Sequence, residues 1–158
     1  MQDMLVRLYD LPALETAKVE GIAIRAALAP EKRLVVTWVG EHFGDGWASE
    51  TDVTFARTPV SCFIALEGQK IRGFACYDAI APNFFGPTGV DEQQRGRGIG
   101  KALLLRTLHA QAAQGYGYSI IGGVGPAEFY RKAVGAIVIE GSDPGIYRGV
   151  LGGPADDH

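Results

Sequence analysis

Cysteine is nearly absent from this 158-residue sequence, with Cys62 and Cys76 the only two. That excludes a disulfide framework and a four-thiolate zinc site. The two fall on neighbouring strand-like runs of one hairpin, so a bridge is one option, and buried thiols acting as small hydrophobes are the expectation. Histidine is as scarce: His42, His109 and His158 lack metal-ligand spacing, and no metal site is expected. A basic excess is also missing. Fifteen Lys and Arg against eighteen Asp and Glu give a net charge of −3, which argues against general binding of nucleic acid or anionic membrane. No apolar run approaches the roughly 18 residues of a membrane span. The N-terminus shows no basic stretch followed by an apolar one, so a cytoplasmic address is expected. No interior linker divides the chain and no repeat runs through it. With 47% hydrophobic and 21% charged residues, a single domain over 1–158 with a sizeable core is expected.

What the sequence has in excess is glycine. It carries 22, about twice the average usage of roughly 7%. Many lie between Gly86 and Gly125. Glycine serves where a backbone takes positive φ or lets another group approach closely, so a ligand is expected there.

The coarse pattern reads as one α+β domain. Met4–Leu8 alternates like a strand, and Ala13–Ala29 carries a helical stripe of Val19, Ile22, Ala23 and Ala26, stopped by Pro30. Leu34–Phe43 reads as a helix, although its β-branched residues also suit a strand, and Trp47–Pro59 has no clear period. Val60–Leu66 and Lys70–Tyr77 form a hairpin around Glu67-Gly68-Gln69. Phe84–Val90 is a strand interrupted by Gly86-Pro87, so it is bulged or an edge there. Gly98–Ala113 is the strongest helix, with Ala102, Leu105, Leu108 and Ala112 on one face and Leu104 beside it. Tyr118–Val124 reads as a buried strand, Ala127–Val134 as a short helix, and Ile137–Ile139 with Ile146–Leu151 as a final strand pair.

The informative motif is Arg95-Gly96-Arg97-Gly98-Ile99-Gly100-Lys101, directly after a strand and opening the best helix. Unpaired N–H groups and partial positive charge at a helix start, with basic side chains beside them, suit a pyrophosphate. A phosphate loop of the G-x-x-x-x-G-K-[ST] kind is not matched, since Arg95 stands five before Gly100 and Ala102 replaces the hydroxyl. A dinucleotide G-x-G-x-x-G fails too: Lys101 or Leu103 falls at the third glycine. A plain tight turn with solubilising charges is the bland alternative.

Arg95-Gly96-Arg97-Gly98-Ile99-Gly100 resembles the (Q/R)-x-x-G-x-(G/A) motif of the GCN5-related N-acetyltransferases. Gly89-Val90-Asp91 before it and Lys101-Ala102-Leu103-Leu104 after it resemble the strand and helix that flank that motif. Phe129-Tyr130-Arg131-Lys132 followed by Gly135-Ala136 is similar to the family's F-Y-x-K-x-G-F segment. The resemblance is specific over about 60–151. It implies the acyl-coenzyme A N-acyltransferase fold: a mixed, mostly antiparallel central sheet flanked by helices, with splayed fourth and fifth strands. It implies acetyl-coenzyme A as cosubstrate, its pyrophosphate cradled by Arg95, Gly96, Arg97, Gly98, Ile99, Gly100 and Lys101. The strand ending at Gly89 and Val90 would hold the pantetheine arm. Tyr130 would protonate the departing thiolate. Two departures stand out: Gly123 occupies the position of a frequent cofactor-contacting Asn, and Ala133-Val134 lengthen the tyrosine-to-glycine interval by one residue.

The resemblance therefore implies an N-acetyltransferase in which a primary amine, on a small molecule or a peptide, attacks directly in a ternary complex. A backbone N–H near Gly89 or Val90 would be the oxyanion donor. The first 59 residues would supply acceptor-side helices, 60–151 the cofactor-binding sheet and helices, and 152–158 a polar tail. Glu41, His42 and Asp78 are weak candidates for a base. Trp38, Phe43, Trp47, Phe84 and Phe85 are core residues or the lining of an acceptor pocket. The final strands are a possible edge for a homodimer. A non-catalytic module that binds or senses acyl-coenzyme A is the alternative function.

Overall fold

The computed structural model describes residues 1–153; the expected polar tail over 152–158 lies outside the described residues from 154 onward. Seven strands form one sheet: β1 (Met4–Arg7), β2 (Ala23–Ala26), β3 (Cys62–Glu67), β4 (Lys70–Tyr77), β5 (Phe84–Val90), β6 (Tyr118–Ile121) and β7 (Ile137–Val138). Four helices accompany them: α1 (Lys32–Phe43), α2 (Asp45–Thr54), α3 (Ile99–Ala113) and α4 (Ala127–Val134). The sheet order is β2-β3-β4-β5-β6-β1-β7, and every neighbouring pair is antiparallel except β5 with β6. The expected α+β architecture, with a mixed and mostly antiparallel sheet, is what forms.

Strand alternation divides the core into two. Phe63 and Ala65 of β3 with Ala75 and Tyr77 of β4 face α3, in a cluster that also includes Tyr130, Ala133 and Val134 of α4. Cys62 and Ile64 with Phe74 and Cys76 face Val35 and Val39 of α1. The centre of the sheet is thus covered on both faces, which explains why these strands read as continuous apolar runs. Cys62 and Cys76 stand opposite each other in the β3–β4 register as free, buried thiols. The neighbouring Cys76 thiol and burial together push the Cys62 thiol well above its ordinary value.

Helix α3 is buried on more than the expected face. Leu103, Leu104, Leu105 and Leu108 are all at most 1% exposed, each side chain contributing roughly 1.5–3 kcal/mol by burial. The sheet takes one side of the helix, and the short turns Leu8–Asp10 and Leu14–Ala17 cover another. His109 Nε2 fixes that cover at 2.8 Å from the Pro12 carbonyl.

The helix expected over Ala13–Ala29 does not form. Gly21 takes φ +78°, outside helical space, and Ala23–Ala26 runs along β3 as an edge strand. Ile22, Ile24 and Ala26 then pack on the core with a period of two, an alternation that the 3.6-residue stripe through Ile22 and Ala26 concealed. The first 59 residues consequently contain two strands beside α1 and α2. Strand β1 lies between β6 and β7, pairing Met4 with Ile121 on one side and Val138 on the other. The final strand pair is only half present, since Gly145–Tyr147 is a short 3-10 turn and β7 spans two residues. Strand β7 pairs with β1 instead of with Ile146–Leu151. No helix among the described residues is long and apolar enough to cross a membrane.

Candidate functional site

Strands β5 and β6 pair only at Phe84↔Ile120 and Phe85↔Ile121. Beyond Phe85 the β4 side of β5 stays paired through Val90↔Gly73, while its other side has no strand partner. The interruption falls at Gly86-Pro87, where β4 also shifts register between Ala75 and Tyr77. A proline without an N–H and a glycine at φ +121° together end the ladder with β6 there. A cleft of about 1000 Å³ occupies the resulting gap.

The floor of the cleft is the free side of β5. Asp91 N–H donates to the Arg72 carbonyl at 2.8 Å, toward β4. Successive strand N–H groups alternate sides, so Gly89 N–H also faces β4 and Val90 N–H faces the gap. Gly89 has a separate reason to be glycine. A Cβ there would lie 2.4–2.8 Å from the Phe43 ring, which packs directly on the strand.

The loop 95–101 closes the cleft where α3 begins. Gly96 at φ +84° and Gly98 at +86° hold left-handed conformations, each costing a residue with a side chain roughly 1–2 kcal/mol. Among the described residues, no protein acceptor takes the backbone N–H of any residue from Arg95 to Lys101, and the first such bond in the helix is Ala102 N–H to Gly98 O at 3.1 Å. A run of unpaired donors at the positive end of a helix dipole is a seat for an anion. Arg95, Gly96, Gly98, Ile99, Gly100 and Lys101 line the cleft. Arg97 does not. Its guanidinium is held by Glu67 Oε2 at 2.9 Å and Gln94 Oε1 at 2.6 Å, and with Arg72 it holds the Glu67 carboxyl below its usual range.

Tyr130 reaches the same cleft from α4. It is 7% exposed, and its ring meets Phe85 edge-on at 6.5 Å. Its hydroxyl has no hydrogen-bond partner among the described residues, and burial raises its pKa to about 12, so the phenol stays protonated at neutral pH. The lengthened interval after Tyr130 is absorbed by the helix end, where Gly135 takes φ +66° and donates to the Arg131 carbonyl at 3.0 Å. Gly123, at the position of the missing Asn, turns at φ +56° and donates its N–H to Asp3 Oδ1 at 2.8 Å. The N-terminal strand thereby ties down the cleft wall after β6.

The three weak base candidates lie elsewhere. Glu41 is exposed, His42 stacks on Trp38 at 4.2 Å, and Asp78 accepts the Asn83 N–H at 2.7 Å within a turn; none lines the cleft. Of the aromatics, Trp47, Phe84 and Phe85 line it, whereas Trp38 and Phe43 belong to the core around Phe74. Sequence reasoning missed Glu50 and Tyr147. Both line the cleft, and Tyr147 Oη donates to Glu50 Oε1 at 2.7 Å. Burial raises the Glu50 carboxyl, and burial with the Glu50 charge raises the Tyr147 phenol. Their separation in sequence left no local signal.

Residues 58–133 match the family model described as an acetyltransferase (GNAT) domain. Similar solved structures include a GCN5-related glucosamine N-acetyltransferase region of a fungal multi-domain β-N-acetylglucosaminidase, at 14% identity and TM-score 0.72 over 87% of this chain and 19% of that one. A GCN5-related N-acetyltransferase from Sphaerobacter thermophilus matches at 24% identity and TM-score 0.63, over 87% of this chain and 48% of that one. A GNAT-family acetyltransferase from Colwellia psychrerythraea matches at 17% identity and TM-score 0.64, over 87% and 52%. The chain thus spans about half or less of the length of these structures. No curated protein matches it. The resemblance carried by the glycine motif and the Tyr130 segment is borne out by the match to an acetyltransferase (GNAT) domain, and the solved structures share the fold.

Proposed function

With the acetyltransferase domain of the GCN5-related family matched over residues 58–133, we propose that this protein is an N-acetyltransferase moving an acetyl group from acetyl-coenzyme A to a primary amine by direct attack in a ternary complex. The observation that carries the reading is the joint presence of the unpaired N–H run 95–101 and the protonated Tyr130 on one cleft, opened where β5 leaves β6.

The residues fit the cosubstrate. Backbone N–H groups from Arg95 to Lys101 would hold its pyrophosphate, with Arg95 and Lys101 adding charge. The free side of β5 up to Val90 would take the pantetheine arm as an added strand. When bound, acetyl-coenzyme A supplies an acyl group activated as a thioester. The chain's own groups do the remaining work. Val90 N–H, facing the gap beside the glycine loop, is a fixed donor for an amide carbonyl of the pantetheine arm. The Tyr130 phenol, protonated at neutral pH, gives its proton to the departing sulfur. The cleft walls hold the reactants together, and positioning of this kind is worth several kcal/mol. A cytoplasmic address belongs to the same reading. So does a small-molecule or peptide amine as acceptor. A homodimer, if one forms at the C-terminal edge, has only the two exposed residues of β7, Ile137 and Val138, to pair through.

Calorimetric titration with acetyl-coenzyme A, beside dephospho-coenzyme A, ATP and NAD, tests the proposal. Micromolar binding that favours acetyl-coenzyme A, with thiol release in the presence of an amine, is expected. Binding without release under any amine would leave a non-catalytic acyl-coenzyme A module. Binding of ATP or NAD alone would overturn both.

A further inference from the structure

The cleft holds more than the cosubstrate reading uses. Its basic lining residues, Arg95 and Lys101, both belong to the glycine loop. Its acidic lining residues, Glu50 and Asp143, come from α2 and from the segment after β7. Glu50 lies three residues after Trp47 on α2, the spacing that puts two side chains on one helix face, and both line the cleft. Ile80, Phe84 and Pro144 contribute further apolar wall.

Glu50 has no ion-pair partner among the described residues. Its Oε1 is held by the Tyr147 hydroxyl at 2.7 Å, and its Oε2 takes no hydrogen bond from any described residue. Tyr147 stands 97 positions away in sequence, so the pair exists only because the turn Gly145–Tyr147 folds back onto α2. A half-buried carboxylate with one oxygen anchored and the other facing a cleft is placed to take a cation there. The phenol oxygen, having spent its proton on Glu50, can accept a second hydrogen bond beside the same opening.

We propose that Glu50, positioned by Tyr147, seats the ammonium group of the acceptor, and that the acceptor is a primary monoamine carrying an apolar body. The proposal rests on the acetyl-transfer reading above. The Glu50 carboxylate pairs with the ammonium and takes its first proton, which freed Glu50 later returns to water. The neutral nitrogen forms its bond to the acetyl carbon as the carbon–sulfur bond breaks. Tyr130 donates its proton to the sulfur, and the second proton lost by the nitrogen restores the phenol. Trp47, Ile80 and Phe84 receive the apolar body, and Asp143, the other acidic lining residue, is already paired with the Met1 ammonium at 2.9 Å, so a second charge on the acceptor finds no free seat there.

The test is titration of the full chain with 2-phenylethylamine in the presence of saturating coenzyme A, read by tryptophan fluorescence or calorimetry, with coenzyme A affinity measured separately for each variant. Wild type should bind the amine and not 2-phenylethanol. Glu50→Gln should weaken amine binding at least about tenfold, the size of one charge-assisted hydrogen bond, with coenzyme A affinity and melting temperature unchanged. Tyr147→Phe keeps the ring and the Glu50 charge but not the anchor; it should weaken the amine about threefold or more with coenzyme A affinity retained. A merely structural role of Tyr147 would shift melting and leave the ratio of the two affinities alone. Normal coenzyme A binding with no amine binding by wild type, or with Glu50→Gln indistinguishable from wild type, overturns the acceptor site and spares the transferase reading. Failure of every coenzyme A form to bind overturns the transferase reading itself.

Discussion

Tyr130→Phe isolates one hydroxyl. The ring of Tyr130 is 7% exposed and lies edge-on to Phe85 at 6.5 Å, and phenylalanine preserves both its volume and that contact. The hydroxyl bonds to no described protein group, so its loss strands no partner and the variant should melt within a few degrees of wild type. Catalysis should respond differently. A positioned general acid contributes on the order of 10²–10⁴ in rate, so kcat should fall at least about a hundredfold while acetyl-coenzyme A affinity stays within about twofold. Thiol release followed with a chromogenic disulfide, alongside calorimetry, separates the two. The hydroxyl also has a signature in stability. Burial raises its pKa to about 12 against an unfolded value near 10. The unfolded chain therefore releases this proton first. Stability is fully present below about pH 10 and is lost as pH rises toward 12, by roughly 2–3 kcal/mol for this one group. The Phe variant should lack that share of the alkaline loss. Undiminished kcat in Tyr130→Phe would refute the acid role; an unchanged alkaline limb would refute the burial argument.

Other substitutions test other parts of the site. Gly89→Ala forces a Cβ to within 2.4–2.8 Å of the Phe43 ring; it should cost about 1–3 kcal/mol by overpacking, and Phe43→Leu in the same chain should restore much of the lost melting temperature. Arg95→Ala and Lys101→Ala should each weaken acetyl-coenzyme A about three- to tenfold and reduce its salt dependence, as for a partly exposed charge on a phosphate. Arg97→Ala, whose guanidinium is already engaged by Glu67 and Gln94, should change that affinity less than twofold by calorimetry. Cys62 and Cys76, both 0% exposed, should resist a thiol reagent in the native protein and react fully in denaturant. Rapid native labelling of either would contradict their burial.

The glycine loop, the helix after it and the Tyr130 helix were legible in the sequence because each signal is local. Positive-φ glycines, an N-terminal run of basic residues and a 3.6-residue stripe are written in consecutive positions, and α4 begins and ends where its pattern does, at Ala127 and Val134. The hairpin of β3 and β4 was legible for the same reason. Gly86-Pro87 signalled a broken strand, but only the pairing of β5 with β6 at two positions turned the break into a cleft. The first 59 residues misled where a stripe through Ile22 and Ala26 satisfied both a helix and an edge strand; the free edge of β3 decided between them. Strand β1 inserted between β6 and β7 is likewise a choice among distant partners, which no window of sequence contains. Arg97 looked equivalent to Arg95 until the fold set Glu67 beside it. The Glu50–Tyr147 pair is the plainest case, since a hydrogen bond of 2.7 Å across 97 residues has no trace in either neighbourhood. Local backbone chemistry therefore determined the run of unpaired donors at 95–101, whereas the meeting of remote segments, driven by burial and strand pairing, decided the walls of the cleft around it.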